Sequence, residues 1–194
     1  VQPFPGARRD LERLAGASAA QPYFDRQDGY IHWVYIGVVI PGMFPVLRAL
    51  FKAISTAMRP ECLAKLKLHF IGTSYAKAGR ASPVVLPLAA EYGLIDHVQE
   101  QCARIPYAEA LQCLSESNAL LAIGSDDPGY TASKIYPYLL ARKPLLAIYH
   151  EKSSVIELIC QVGGAVCIPF ALPLDQDALV HTITKLWLES DKFS

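Results

Sequence analysis

Residues 118–150 read NALLAIGSDDPGYTASKIYPYLLARKPLLAIYH. An apolar run, Ala119 to Ile123, passes into a polar, glycine-containing loop, then into a helical pattern from about Ser133 to Arg142, then into a second apolar run, Leu145 to Tyr149. Strand, loop, helix and strand in that order make a βαβ unit, whose two strands lie parallel. The runs are continuous rather than alternating, which fits strands covered on both faces. In such a sheet the first strand delivers Gly124 through Thr131 to the carboxyl edge, and the following helix turns its free N–H groups, with Lys134, towards the same crevice. Amide donors and one ammonium suit a phosphate. Ser133 or Thr131 is placed to cap that helix. A plainly capped helix with a solvated lysine has the same pattern, so the sequence leaves both open. Pro137 has no N–H to return to Ser133; it either loosens the helix start around a ligand or moves that start downstream.

The same alternation continues on both sides. Upstream, Tyr30 to Ile40 is a β-branched and aromatic strand closed by Pro41-Gly42, and Phe44 to Met58 is a helix with Leu47, Leu50, Phe51 and Ile54 on one face. Leu66 to Ile71 is a second strand ending at Gly72-Thr73-Ser74, and Pro83 to Tyr92 is a helix closed by Gly93. Gln101 to Ile105 is a weak third strand and Tyr107 to Glu116 a helix. Downstream, Ser153 or Ser154 caps a helix to Val162, with Glu157 in capping-box position and Gly163-Gly164 as the stop. Ala165 to Ile168 is a last strand and Asp175 to Glu189 a final helix. The expected fold is α/β: a three-layer, Rossmann-like, doubly wound parallel sheet of about six strands. Residues 1–29, with Pro3, Pro5, Pro22 and the turn-prone Arg26-Gln27-Asp28-Gly29, read as a linker or arm before a domain of residues 30–194. The start has neither an initiator Met nor a signal-like apolar centre, and reads as a cut from a longer protein.

With 52% hydrophobic and 19% charged residues, the 194-residue chain is globular and long enough to bury a core. Lys and Arg number 18, as do Asp and Glu, so no net field draws nucleic acid or an anionic membrane, and any anion site has to be local. Five cysteines without a C-x-x-C pair read as reduced thiols of a cytoplasmic protein, and they do not cluster with histidines as metal ligands. No apolar run reaches the ~20 residues of a membrane span. His150 ends a strand on the ligand edge, whereas His32, His69, His97 and His181 are dispersed and read as core or surface. Asp126 and Asp127 suit a general base, metal ligation or, before Pro128-Gly129, simple turn formation. The absence of G-x-G-x-x-G, G-x-x-x-x-G-K-[ST], G-x-S-x-G and H-E-x-x-H removes support for a dinucleotide site, a P-loop, a serine hydrolase and a metalloprotease. Gly37 and Gly72 end strands where glycine lets a ligand approach the backbone, though such glycines also serve merely to turn the chain.

A glycine turn after the first strand, Gly72-Thr73 after the second, AEYGLIDHV (90–98), RIPYAEALQCL (104–114) and SKIYPYLLARKPLLA (133–147), in that order, resemble the C-terminal, nucleotide-sugar-binding domain of GT-B glycosyltransferases, close to the family 4 type. The resemblance runs from about Tyr30 to the end and is most specific from Arg104 to Ala147; Val1 to Ala7 is similar to the P-x-G arm between the two domains of such enzymes. It implies a donor, a sugar on UDP, GDP or another nucleoside diphosphate, bound here, and an acceptor on an N-terminal Rossmann-like domain outside the chain. It implies no metal or other cofactor, a place in polysaccharide biosynthesis, and membrane association at most peripheral and through the other domain. By this resemblance Ser133 and Lys134 hold the diphosphate, with Lys134 as the catalytic cation. Ile105, Pro106 and Tyr107 flank the base, Gly37 and Thr73 stand at the strand ends that admit the phosphates, and Gly129, Tyr130 and Thr131 lie near the ribose or diphosphate. Retaining members usually carry glutamates at E-x7-E; the corresponding positions here are Gly129 and Pro137, and the basic residues often found after the first strand are absent, the nearest being Arg48. Lys134 is then left to stabilise the departing diphosphate largely alone. Two rivals stand beside this expectation. A GT-B-shaped nucleotide-sugar epimerase would need acid–base carboxylates, available only at Asp126 and Asp127. A non-catalytic α/β interaction module would make the missing glutamates natural.

Overall fold

The computed structural model describes residues 21–76, 80–130 and 134–190. Its strands are β1 (Ile31–Ile36), β2 (Leu66–Ile71), β3 (Val98–Gln101), β4 (Ala119–Ile123), β5 (Leu145–His150) and β6 (Val166–Phe170). They form one six-stranded sheet in the order β3-β2-β1-β4-β5-β6, every pairing parallel. The helices are α1 (Phe44–Ala57), α2 (Pro60–Leu63), α3 (Leu86–Ala90), α4 (Tyr107–Glu116), α5 (Ile135–Leu140), α6 (Ser154–Val162) and α7 (Gln176–Ile183), the last running on into a π-helical turn, Thr184–Leu188. This is the expected three-layer α/β architecture.

Strand alternation sorts the core into two layers. Trp33, Tyr35 and Phe70 face one side, where Leu47, Leu50, Phe51 and Ile54 of α1, Leu88 of α3 and Leu179 and Ile183 of α7 cover them. Val34 and Tyr149 face the other side, under Leu111 and Leu114 of α4, Ile135 and Tyr138 of α5 and Val155 and Ile159 of α6. The π-helical turn carries Trp187 edge-on to Trp33, ring centroids 5.5 Å apart. β4 and β5 are buried along their whole length, as their unbroken apolar runs require.

Several boundaries differ from expectation. β1 stops at Ile36 because Gly37, at φ +152°, turns the chain out of the sheet. β3 lies at Val98–Gln101, upstream of the predicted Gln101 to Ile105: as an edge strand it buries only Val98 fully, so its VQEQ sequence looks polar, while the apolar Ile105 lies beyond it. α3 starts at Leu86, three residues later than predicted from Pro83, because the Glu100 carboxylate accepts the amide hydrogens of Val84, Val85 and Leu86. α5 begins at Ile135 with Lys134 at its N-cap, so it is only six residues long. β6 extends to Phe170. Ser153, not Ser154, caps α6, its Oγ accepting from Val155 N–H at 3.3 Å.

Residues 21–29, expected as linker, pack against the α4 side. The Tyr23 hydroxyl donates to Glu109 at 2.7 Å, Gln21 donates to Glu116 at 3.1 Å, and the Phe24 ring stacks on His32 at 4.7 Å. Among the described residues no helix is long and apolar enough to cross a membrane.

Candidate functional site

The strand order reverses between β1 and β4, and the two pair only at Trp33↔Ala119 and Val34↔Leu120. Beyond that point the strands part, the place where open parallel sheets bind ligands. The parting exposes a backbone problem at Ile36, whose N–H and C=O have lost a β4 partner. Tyr138 of α5 solves it: its hydroxyl accepts from Ile36 N–H at 2.6 Å and donates to Ile36 C=O at 3.2 Å. Burial pushes the phenol's pKa up, which keeps the donating proton in place.

Above this junction lies a cavity of about 370 Å³. Ile36, Ile71, Leu111 and Leu114 supply apolar wall; Gly37, Tyr75, Arg104, Ile105, Tyr107, Lys134 and Pro137 complete much of it. At Gly37 a Cβ would stand 2.9 Å from Lys134 Nζ and 3.3 Å from Tyr35 Oη. The Lys134 ammonium therefore occupies room that a side chain at position 37 would take. Burial lowers the Lys134 pKa, and the Arg104 charge lowers it further. Among the described residues neither cation has a carboxylate partner; the Arg104 guanidinium lies instead 4.8 Å from the ring centroid of Tyr75. Two uncompensated cations in a concave, largely apolar site favour an anion.

Of the residues marked in the sequence, Gly37, Ile105, Tyr107 and Lys134 meet at this cavity. Tyr130 lines a small adjoining pocket that also touches Lys134. Gly129 sits in a turn, its N–H donating to Asp127 Oδ1 at 2.8 Å. Thr73 is buried, lines neither pocket, and donates to Glu100 at 2.6 Å, while Pro106 is the N-cap of α4 and likewise outside both walls. Thr131 and Ser133 lie outside the described residues.

The carboxylates have other positions. Asp127 builds the turn, and Asp126 packs over Gly42, to whose carbonyl its own N–H donates at 3.0 Å. Neither lines the cavity. His150 is buried, its Nδ1 accepting a hydrogen bond from Lys152 N–H at 3.2 Å and its ring lying edge-on to Phe170, so it serves a turn. Among the described residues no group of His, Cys, Asp and Glu is arranged to hold a metal.

Arg104, Tyr75 and Tyr138 were not marked as site residues. Arg104 stands directly before Ile105-Pro106-Tyr107, so a cation beside a predicted ligand loop was the available signal. Tyr75 and Tyr138 gave none, because their roles depend on where distant loops meet.

No family model and no curated protein sequence matches this chain. Solved structures do match it. WaaG, a glycosyltransferase involved in lipopolysaccharide biosynthesis, superposes with a TM-score of 0.60 over 97% of this chain and 44% of its own, at 14% identity. A UDP-forming α,α-trehalose-phosphate synthase from Burkholderia xenovorans gives 0.63 over 95% and 42%, at 11% identity. OtsA, a trehalose-6-phosphate synthase, gives 0.64 over 94% and 42%, at 10% identity. The fold is that of a C-terminal-like half of a GT-B glycosyltransferase, and the chain spans less than half the length of these proteins.

Proposed function

We propose that the chain is the donor-binding domain of a glycosyltransferase, holding a nucleoside-diphosphate sugar whose glycosyl group passes to an acceptor on a companion N-terminal Rossmann-like domain. The observation that carries this reading is the seating of the Lys134 ammonium against Gly37, beside Arg104, at the point where the strand order reverses. A diphosphate placed there meets the Lys134 ammonium, and the apolar wall beside Arg104 takes a base. Cleaving a glycosyl–phosphate bond builds negative charge on the departing diphosphate, so a fixed ammonium at that position stabilises the transition state more than the ground state. α5 is too short for much of a macrodipole, which leaves the charge work mainly to the Lys134 side chain. The UDP-forming activity in the name of one structural neighbour supports the same assignment. The turn roles of Asp126 and Asp127 favour a transferase over an epimerase, which needs carboxylates at the substrate.

Titration calorimetry of the chain with UDP, GDP and their sugars tests the proposal. Binding is expected, and Lys134→Ala weakens it about 10- to 100-fold, the value of a charge-assisted hydrogen bond. Absence of binding to every nucleotide, or equal binding by the variant, overturns it.

A further inference from the structure

Among the described residues five polar side chains line the cavity: Arg104, Lys134 and the hydroxyls of Tyr75, Tyr107 and Tyr138. Arg104 and Lys134 donate and cannot accept, and among the described lining residues there is no Asp, Glu, Asn or Gln. The Tyr138 hydroxyl, also in the wall, is committed to Ile36. A ring entering with exocyclic amino groups finds, among the described side chains, no carboxylate or amide acceptor and at most a tyrosine hydroxyl, whereas ring carbonyls find two cationic donors.

The orientation of Arg104 adds direction to that bias. The chain after β2 stays laced to the chain after β3: Gly72 N–H donates to Gln101 C=O at 2.7 Å and Ser74 N–H to Cys102 C=O at 3.1 Å. This fixes the loops bearing Tyr75 and Arg104 side by side. Tyr75 keeps 72% of its surface in solvent, so its ring is not core filling; the Arg104 guanidinium lies over it, 4.8 Å from its centroid. A guanidinium held on an aromatic ring retains its edge N–H groups for planar partners.

We infer that Arg104, steadied by Tyr75, is the specificity-determining residue of this site and selects a uracil-type base, which presents two ring carbonyls, over cytosine or adenine, which present an amino group. The inference rests on the nucleoside-diphosphate reading above and names its base.

Calorimetry of the chain with UDP, CDP, ADP and inorganic pyrophosphate provides the test. UDP is expected to bind about tenfold more tightly than CDP or ADP, the discrimination of one hydrogen-bond donor facing the wrong group. Arg104→Gln brings the UDP-to-CDP ratio close to one, and Tyr75→Ala lowers it, while Tyr75→Phe, which keeps the ring, preserves it. The ratio is the readout because loss of charge or of folded protein weakens both nucleotides together. Equal binding of UDP, CDP and ADP to the parent chain, or a ratio unchanged in Arg104→Gln, overturns base selection and leaves the diphosphate site standing. Failure of pyrophosphate and all three nucleotides to bind overturns both.

Discussion

At Gly37 two demands meet: a backbone at φ +152°, which L side chains rarely adopt, and the Lys134 ammonium where a Cβ would lie. Gly37→Ala is therefore expected to cost about 1–2 kcal/mol of stability and also to weaken diphosphate binding by displacing the ammonium. Urea denaturation and calorimetry on the same variant read the two effects separately. Gly163 is the control, since it has positive φ but nothing within 4 Å of a built Cβ; alanine there should lower stability and leave binding alone. Tyr138 makes a second residue-scale case. Tyr138→Phe keeps the ring in the core and strips the Ile36 amide and carbonyl of their partner, an expected loss of about 1–3 kcal/mol with faster hydrogen exchange at Ile36. Unchanged exchange there would show that the hydroxyl does not hold the junction. Lys134 and Gly37 could be picked out of the sequence because each stands at a strand or helix end. Tyr138 could not, because its partner is 102 residues away.

Among the elements, the buried parallel strands were legible and the edge was not. β2 and β4 fall on their predicted residues and β5 runs one residue longer, because a strand covered on both faces needs an uninterrupted apolar run. β3 covers one face only, and its polar sequence let Ile105 draw the prediction downstream. The start of α3 was hidden for a related reason. It is fixed from β3 by the Glu100 carboxylate, which accepts from Val84, Val85 and Leu86 at 2.9 to 3.0 Å and from Thr73 at 2.6 Å. One acidic side chain thus ties the end of β2 to the start of α3. Glu100→Gln retains one acceptor oxygen and loses the charge that favours a helix start, so a drop of about 1–2 kcal/mol is expected, with faster exchange at Val85 and Leu86. Exchange at those amides no faster than in the parent chain would mean α3 does not depend on that carboxylate.

The molecule as a whole is fastened at the end of the sheet opposite the crevice. There Phe24, in the arm before β1, stacks on His32 at 4.7 Å and lies tilted against His69 at 4.9 Å. His32 Nε2 lies 3.0 Å from Asp28 Oδ1 and 3.1 Å from the Asp25 carbonyl, two acceptors, so it carries a proton; His32 Nδ1 and His69 Nε2 lie 2.9 Å apart and share one hydrogen. Burial, then the charges of His32 and Lys67, hold the His69 pKa down at about 4 from an ordinary 6.5, against the opposing pull of Asp28 and Gln99. Asp28 is shifted in the same sense: burial raises its pKa, but bonds from Tyr30 N–H and His32 outweigh that and leave it low. The unfolded chain takes up a proton at His69 near pH 6.5, while the folded chain resists until about 4, so stability present at neutral pH falls through that window and levels below it. The loss from His69 is about 3 kcal/mol, from roughly 1.4 kcal/mol per pKa unit. Urea midpoints measured from pH 8 to pH 4 should fall mainly below 6.5, and His69→Gln, which cannot titrate, should be less stable at pH 7 yet flatter across the window. A parent chain with flat midpoints, or a variant that keeps the full slope, would mean that the arm is fastened by apolar contact alone and not by the neutrality of the His69 ring.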